Sequence, residues 1–340
     1  MINKRRFTYF ALLALVVVFL LSGCEINIQP GGYKISGQVT ERKWDDQIVP
    51  VQEATIYYRI NSGSTRFVPA ESDGSWELYA NRGDSLTIWA QKDNYTFQPA
   101  PASVTVTENN SDVDFEVCGW FDDFSVETSR WLNKYYPDGS YQIYNTSIGE
   151  YEIKVVDNVD DFISTIAPIA IPSSSYKVKA RMNPTGLGSG MIGLIFNVKS
   201  FEPGNFYYIF RVRPETKDYE LIRADIYENG TQTTLIDGGN SSFFADNGLN
   251  ILEVRQSWDQ VELYVNTERI WSGNNIEGQI IDFSTEGLKA GLYVCADAGT
   301  NYTAQFDNFD LTAVGFRELP KFRSLSLGES MTHKDVEITK

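Results

Sequence analysis

Three kinds of side chain here could do chemistry: a single imidazole, 45 carboxylates and three thiols. The imidazole, His333, stands near the C-terminus, away from any patterned segment. A Ser-His-Asp triad, a Cys-His dyad or a histidine-rich zinc site would need a better-placed ring. Glycoside hydrolysis needs only two carboxylates, roughly 5–9 Å apart across the scissile bond. Spacing alone singles out no such pair among the 45. A binding chemistry is easier to place. In the run Phe206–Arg213 (FYYIFRVR), alternation puts Phe206, Tyr208, Phe210 and Val212 on one face and Tyr207, Ile209, Arg211 and Arg213 on the other. In the preceding run, Ile192, Leu194, Phe196 and Val198 share the core face, which leaves Gly193, Ile195 and Asn197 opposite. Asn197, Tyr207 and Arg211 then offer an amide, an aromatic platform and a guanidinium on one outward face. Sugars are held by such sets, with C–H faces on rings and hydroxyls in directed hydrogen bonds. The competing reading is a polar outer face that holds no ligand.

A second aromatic group comprises Trp131, Tyr135, Tyr136, Tyr141 and Tyr144, broken by the turn Pro137-Asp138-Gly139. Exposed loop aromatics are glycan-binding candidates, whereas Trp131 reads better as core. Trp258 sits before Asp259 at an expected hairpin turn, and Trp271 ends the following strand.

The elements that must position these residues are all strands. With 29 Lys+Arg, the formal net charge is -16, and a surface this acidic repels phosphate backbones. Nucleic acid is therefore excluded as a partner. Aromatic residues make up 14% of the chain, enough for sizeable cores. From Tyr33 to residue 117, six or seven short alternating runs are separated by turns such as Ser72-Asp73-Gly74. That pattern predicts a small β-sandwich, with Asp73 as a turn former. Residues 119–315 hold eight clear strand candidates, at 151–156, 175–182, 191–198, 206–213, 219–227, 250–256, 260–266 and 289–295. Roughly a dozen strands in this length predict a larger two-sheet jelly-roll sandwich. The fold class is all-β. Residues 316–340 form a mixed-charge C-terminal extension.

The N-terminus sets the compartment. Lys4, Arg5 and Arg6 precede an apolar run over residues 11–21, closed by Leu21-Ser22-Gly23-Cys24. This resembles the bacterial lipoprotein signal: residues 1–23 are removed and Cys24 is lipidated. Two acyl chains suffice for stable anchoring. The run is short for a ~20-residue membrane span. Residues 24–32 form a polar tether ending in Pro-Gly-Gly. The expected location is the cell envelope, lipid-anchored on the exported side of a membrane, where disulfides are permitted.

The string SGQV … VQEATIYY … ESDGSWELYANRGDSLTIWAQKDNYTFQPAPASVTVTENNSDVDFEV resembles the carboxypeptidase-regulatory-like, transthyretin-like sandwich across 33–117. The resemblance implies a spacer without chemistry. FDDFS, SYKVKARM, GLIFN, FYYIFRV, NILEVRQSWDQVELYVNTERIW, EGLKAGLYV and FDNFDL are similar to the concanavalin A-like lectin/glucanase superfamily, laminin-G-like modules included. That superfamily hosts lectins, hydrolases and adhesive modules, so it implies a fold more than an activity. Its glucanase branch carries Glu-x-Asp-x-x-Glu on one strand. The nearest run here, from Glu215 through Asp218 to Glu220, has the wrong spacing. The resemblance also sets the first and last strands side by side, gathering Asp122, Asp123, Asp307 and Asp310 as a test set for a structural calcium, with Asp307 and Asp122 the leading ligands. Asp157, Asp160 and Asp161 lack calcium-loop spacing. The same adjacency makes Cys118–Cys295 a disulfide candidate. No cofactor beyond that calcium is implied. Three functions remain open: carbohydrate binding, polysaccharide cleavage on the same fold, and a structural or protein-binding surface module.

Overall fold

The computed structural model describes residues 32–313, except 44, 46, 100, 127–129, 157–161, 172, 174, 186–187, 199–204, 226–231, 240, 246–248, 258–259 and 275–287. Among the described residues every regular element is a strand. The first module contains β1 (Tyr33–Arg42), β2 (Ile48–Pro50), β3 (Thr55–Ile60), β4 (Arg66–Pro69), β5 (Ser75–Ala80), β6 (Ser85–Gln91), β7 (Tyr95–Gln98) and β8 (Ala102–Thr105). Next comes β9 (Phe115–Asp122). The second module continues with β10 (Lys134–Tyr135), β11 (Tyr141–Asn145), β12 (Glu150–Val155), β13 (Phe162–Ile166), β14 (Tyr176–Pro184), β15 (Gly190–Val198) and β16 (Phe206–Arg213). It closes with β17 (Asp218–Asp225), β18 (Gln232–Gly238), β19 (Asn250–Ser257), β20 (Gln260–Val265), β21 (Glu268–Asn274), β22 (Lys289–Ala296) and β23 (Tyr302–Ala313).

The second module is a sandwich of two antiparallel sheets. One runs β10-β11-β12-β23-β14-β19-β20-β21, the other β13-β22-β15-β16-β17-β18. Its core lies between them. Ile192, Leu194, Phe196, Tyr208, Phe210 and Val212 from one sheet belong to the same buried cluster as Val178, Ala180, Met182, Leu252 and Val254 from the other. The expected hairpin in VELYVNTERIW is present, with Val265 opposite Glu268. Asn266 and Thr267 between them have φ of 50° and 76°, the left-handed pair that a two-residue turn requires. In the first module, the sheet β4-β3-β6-β8 covers a core that includes Ile56, Trp76, Leu86, Ile88 and Phe115. Asp73 is the turn former expected of it: its Oδ1 accepts from the Ser75 N–H at 2.9 Å and from the Ser75 hydroxyl at 2.6 Å.

The boundary expected between residues 117 and 119 falls inside a single strand. Phe115 and Glu116 of β9 pair with Val39 and Thr40 of β1, and β7 pairs along the stretch from Glu116 to Trp120. Gly119 to Asp122 pair with Phe309 to Thr312 of β23. The twelve-residue β23 accommodates this by pairing with β12 along Tyr302–Phe306 and with β9 further on. One 13-stranded sheet therefore runs through both modules, and one cluster of buried apolar residues spans the two. Backbone bonding also crosses the junction where the Ala170 N–H donates to the Arg42 carbonyl at 2.9 Å.

Candidate functional site

The three predicted sugar-binding residues all lie on the six-stranded sheet, but they do not form an open site. Tyr207 is 7% exposed and belongs to a second apolar cluster with Ile195, Val198, Ile209, Ile222, Ala224 and Tyr293, on the face turned away from the main core. Burial raises its hydroxyl pKa above the usual tyrosine range. The expectation of a polar, solvated outer face is corrected here: β15 is buried at every position. A strand buried on both faces reads as a continuous apolar run instead of an alternation. Asn197 stands at an irregularity between Ile195 and Val198, with φ of 56°. Its N–H donates to the Tyr176 hydroxyl at 2.8 Å, and its buried Oδ1 has no partner. The irregularity turns Val198 from the expected core face to the outer cluster.

Arg211 is committed to its neighbours. Its Nε donates to Glu220 at 2.8 Å and its Nη1 to the Tyr293 hydroxyl at 3.2 Å. These residues form a cross-strand row, Ser164, Tyr293, Gly193, Arg211, Glu220 and Asp237. One end of this face is partly open. There Phe162 stacks on Tyr293 at 5.5 Å, and Arg213 is ion-paired with Asp297. Hydrogen bonding to Arg213 holds the Asp297 carboxyl below its ordinary pKa.

Each acid considered for calcium is engaged by a group of the chain itself. Asp307 is ion-paired with Arg181. Asp122 is buried, and its Oδ1 accepts from the Phe124 N–H at 2.8 Å. Its carboxyl is pushed up to about 6, mainly by burial. Asp123 accepts from the Ser125 N–H, and Asp310 faces Lys177 and Lys179. Among the described residues, no three His, Cys, Asp or Glu side chains converge as a metal site requires. The Asp157–Asp161 cluster, Trp258, Cys24 with its leader and tether, and residues 316–340 lie outside the described residues.

The expected disulfide is also corrected. Cys118 and Cys295 are both free. β9 and β22 belong to different sheets, and Cys295 packs on the outer cluster while Cys118 is buried in the main core. A bridge needs Cβ atoms that face one another. Of the loop aromatics, Trp131 is core, edge-on to Phe309 at 5.0 Å. Tyr135 is 72% exposed with its ring 5.8 Å from Tyr141. Trp271 is partly buried against the main core.

An aromatic group that the strand-by-strand reading missed stands on the first module. On the solvent side of the sheet β4-β3-β6-β8, Phe67, Tyr57 and Trp89 are direct cross-strand partners. Tyr57 and Trp89 stack at 5.8 Å with ring planes 14° apart, and Phe67 continues the row 6.0 Å from Tyr57. Phe67 is 67% exposed. Polar side chains flank the rings. Thr55 and Gln91 pair on one side of the row, and Arg59, Thr87 and Ser103 align on the other. The Arg59 guanidinium lies 5.5 Å from the Trp89 ring and donates from Nε to Thr65 Oγ1 at 3.1 Å. The signal was available: in TIYYRI and SLTIWAQ the inward positions, Ile56 and Ile88, are aliphatic, and the outward ones, Tyr57 and Trp89, are aromatic.

No family model matches the chain, and no curated protein matches it. Solved structures resemble it over a little more than half its length. A Bacillus licheniformis β-glucanase is 12% identical, covering 57% of this chain and 98% of its own, with a TM-score of 0.39. A Bacillus subtilis carbohydrate-binding module is 14% identical over 54% of this chain and 93% of its own, with a TM-score of 0.35. A Bacillus subtilis protein of unknown function with a galectin-like fold is 12% identical over 58% and 96%, with a TM-score of 0.41. None shares enough sequence with this chain to carry residue roles across.

Proposed function

We propose that this protein is a carbohydrate-binding protein of the cell envelope, held to a membrane by a lipid on Cys24, and that the row Phe67, Tyr57 and Trp89 is where a glycan chain docks. The observation that carries the reading is the row itself. Three aromatic side chains stand side by side on a sheet face turned to solvent, with Tyr57 and Trp89 stacked and their ring planes 14° apart. Phe67 is exposed and Tyr57 and Trp89 are half-buried beside it, and apolar strips on a solvent-facing side mark binding surfaces. A row of rings offers apolar surface to the C–H faces of a sugar chain. Thr55, Gln91, Thr87, Ser103 and Arg59 supply hydroxyl, amide and guanidinium groups at the height of the sugar hydroxyls. An open strip on a sheet face suits an internal stretch of an extended polysaccharide rather than a chain end, which a closed pocket would grip. The module that carries the strip is joined to the second by the shared strand β9.

Binding is favoured over cleavage by what flanks the row: its described cross-strand neighbours Thr55, Gln91, Arg59, Thr87 and Ser103 include no carboxylate. A glycoside hydrolase needs one carboxyl poised as a protonated acid and facing the substrate. The lipid anchor is supported by Lys4, Arg5 and Arg6, the apolar run behind them and Leu21-Ser22-Gly23-Cys24. The test is a glycan array probed with the full chain and with Tyr57→Ala/Trp89→Ala. Polysaccharide binding lost in the variant is the expected result. A wild-type array that is silent, or binding that survives in the variant, overturns the reading.

A further inference from the structure

Where the two modules meet, β1, β2 and β7 close around a cleft of about 520 Å³. That volume falls in the range of small-molecule sites, which favour domain junctions. One wall is a built polar unit. Glu41 is 5% exposed, and a carboxylate this buried needs a cation. Arg130 supplies it: Nη1 donates to Oε1 at 2.7 Å and Oε2 at 2.9 Å, and to the Tyr95 hydroxyl at 2.9 Å. Glu41 and Arg130 cancel each other in charge. Burial pushes the Tyr95 hydroxyl up to about 12, so it stays neutral. Two further cations line the cleft, Lys43 and Lys92, and among the described residues lining it Glu41 is the one acid. The described residues lining the cleft thus carry a surplus of two positive charges in a chain of net charge -16. A concave, partly apolar wall focuses such a field and draws anions from solution.

The fittings narrow the anion. Lys92 Nζ donates to the Gln52 carbonyl at 2.7 Å and lies 5.5 Å from the Tyr95 ring centroid. One of its three N–H donors is used, and the ammonium is fixed at the mouth of the cleft. Pro50 and Pro168 add apolar wall. The one guanidinium is committed to Glu41, so the forked donor that suits phosphate is spent. What remains is two ammonium groups, an aromatic edge and apolar surface.

We propose that this cleft binds a carboxylate-bearing sugar unit, a uronic acid, with Lys43 and Lys92 taking the carboxylate and Tyr95 with the two prolines meeting the sugar's C–H surface. The sugar part rests on the glycan-binding reading above; the anionic part stands on the cleft alone.

The test uses the full chain with its lysines reductively ¹³C-dimethylated, which keeps their charge. It is titrated separately with digalacturonate, with the neutral disaccharide of galactose and with inorganic phosphate. Digalacturonate should shift the Lys43 and Lys92 signals, with an affinity that falls as salt is raised. Lys43→Met/Lys92→Met should weaken that binding at least tenfold with an unchanged thermal midpoint, and Lys92→Arg, which keeps the charge, should retain most of it. Trp89→Ala should leave these shifts in place, so failure of the aromatic row and failure of the cleft read out separately. The proposal is overturned if the neutral disaccharide shifts the two lysines equally, if phosphate does so and digalacturonate does not, or if the double variant binds digalacturonate like the wild type.

Discussion

Tyr57 stacks on Trp89 across the β3–β6 ladder at 5.8 Å, on the side of the sheet opposite the fully buried Ile56 and Ile88. One pair of strands thus separates an aromatic outer face from a core face by alternation alone. Trp89→Ala should weaken polysaccharide binding about five- to tenfold, since a ring contact contributes about 1 kcal/mol or slightly more. The thermal midpoint should stay near wild type. Ile88→Ala should do the reverse, costing about 2–5 kcal/mol of stability with affinity intact. Calorimetric titration and melting of both variants decide the matter, and swapped effects would invert the faces.

Tyr207 is expected to matter for stability rather than for ligand. Its ring sits in the outer apolar cluster, and Tyr208 on the adjacent position packs in the main core. Tyr207→Ala and Tyr208→Ala should each destabilise by about 3–5 kcal/mol, as large aromatic truncations do. Urea unfolding measures both. A Tyr207→Ala protein with wild-type stability would show that the outer face is not packed.

Asp122 should make stability fall as pH rises through the weakly acidic range. Its folded carboxyl is raised to about 6, mainly by burial, against ~3.9 in an unfolded chain. Between those values the folded state holds a proton that the unfolded state has released. The protonated form therefore favours folding most fully below about pH 4, and that contribution is lost as pH passes 6. At ~1.4 kcal/mol per pH unit the window spans roughly 3 kcal/mol. Asp122→Asn should remove this slope, so stability of the variant relative to wild type should be greater at pH 7 than at pH 4. A parallel pair of stability-versus-pH curves from denaturant unfolding would refute it.

Cys118 and Cys295 should both titrate as thiols. Burial pushes the Cys118 thiol up to about 12, so it should resist thiol reagents in the native protein and react on denaturation. A thiol count on a Cys24→Ala chain in denaturant should give two per molecule. A count of zero would restore the bridge.

The two modules should melt together. β9 belongs to the ladders of both, and Gly119 at the crossing has Thr312 and Thr96 about 3.1–3.2 Å from where a Cβ would sit. Gly119→Val should lower the midpoint of the whole molecule, because Thr312 and Thr96 would have to give way. Differential scanning calorimetry should show a single endotherm for wild type and variant. Two resolved endotherms in the wild type would mean that the shared strand does not couple the modules.

The all-β class, the two-sheet sandwich and most strand positions were legible in the sequence, because alternation, β-branched runs and turn residues are local signals. YEIKVV, SYKVKARM and FYYIFRVR lie within a residue or two of β12, β14 and β16. Asn266-Thr267 announced its own hairpin. The side chain that packs behind a strand is not a local property. Tyr207 and Trp89 alternate with apolar neighbours in the same way, yet one is buried in a second cluster and the other lines an exposed row. The difference is what lies across the sheet: Ile195, Ile209 and Ile222 surround Tyr207, while Thr87, Ser103 and Gln91 flank Trp89. The fusion through β9 was equally hidden, because VCGW carries no mark that its two halves pair with different modules. Glu41, Tyr95 and Arg130 are far apart in the chain. Only the packing of β1 and β7 against the second module brings them to one cleft, since a buried carboxylate must find its cation wherever the fold delivers one.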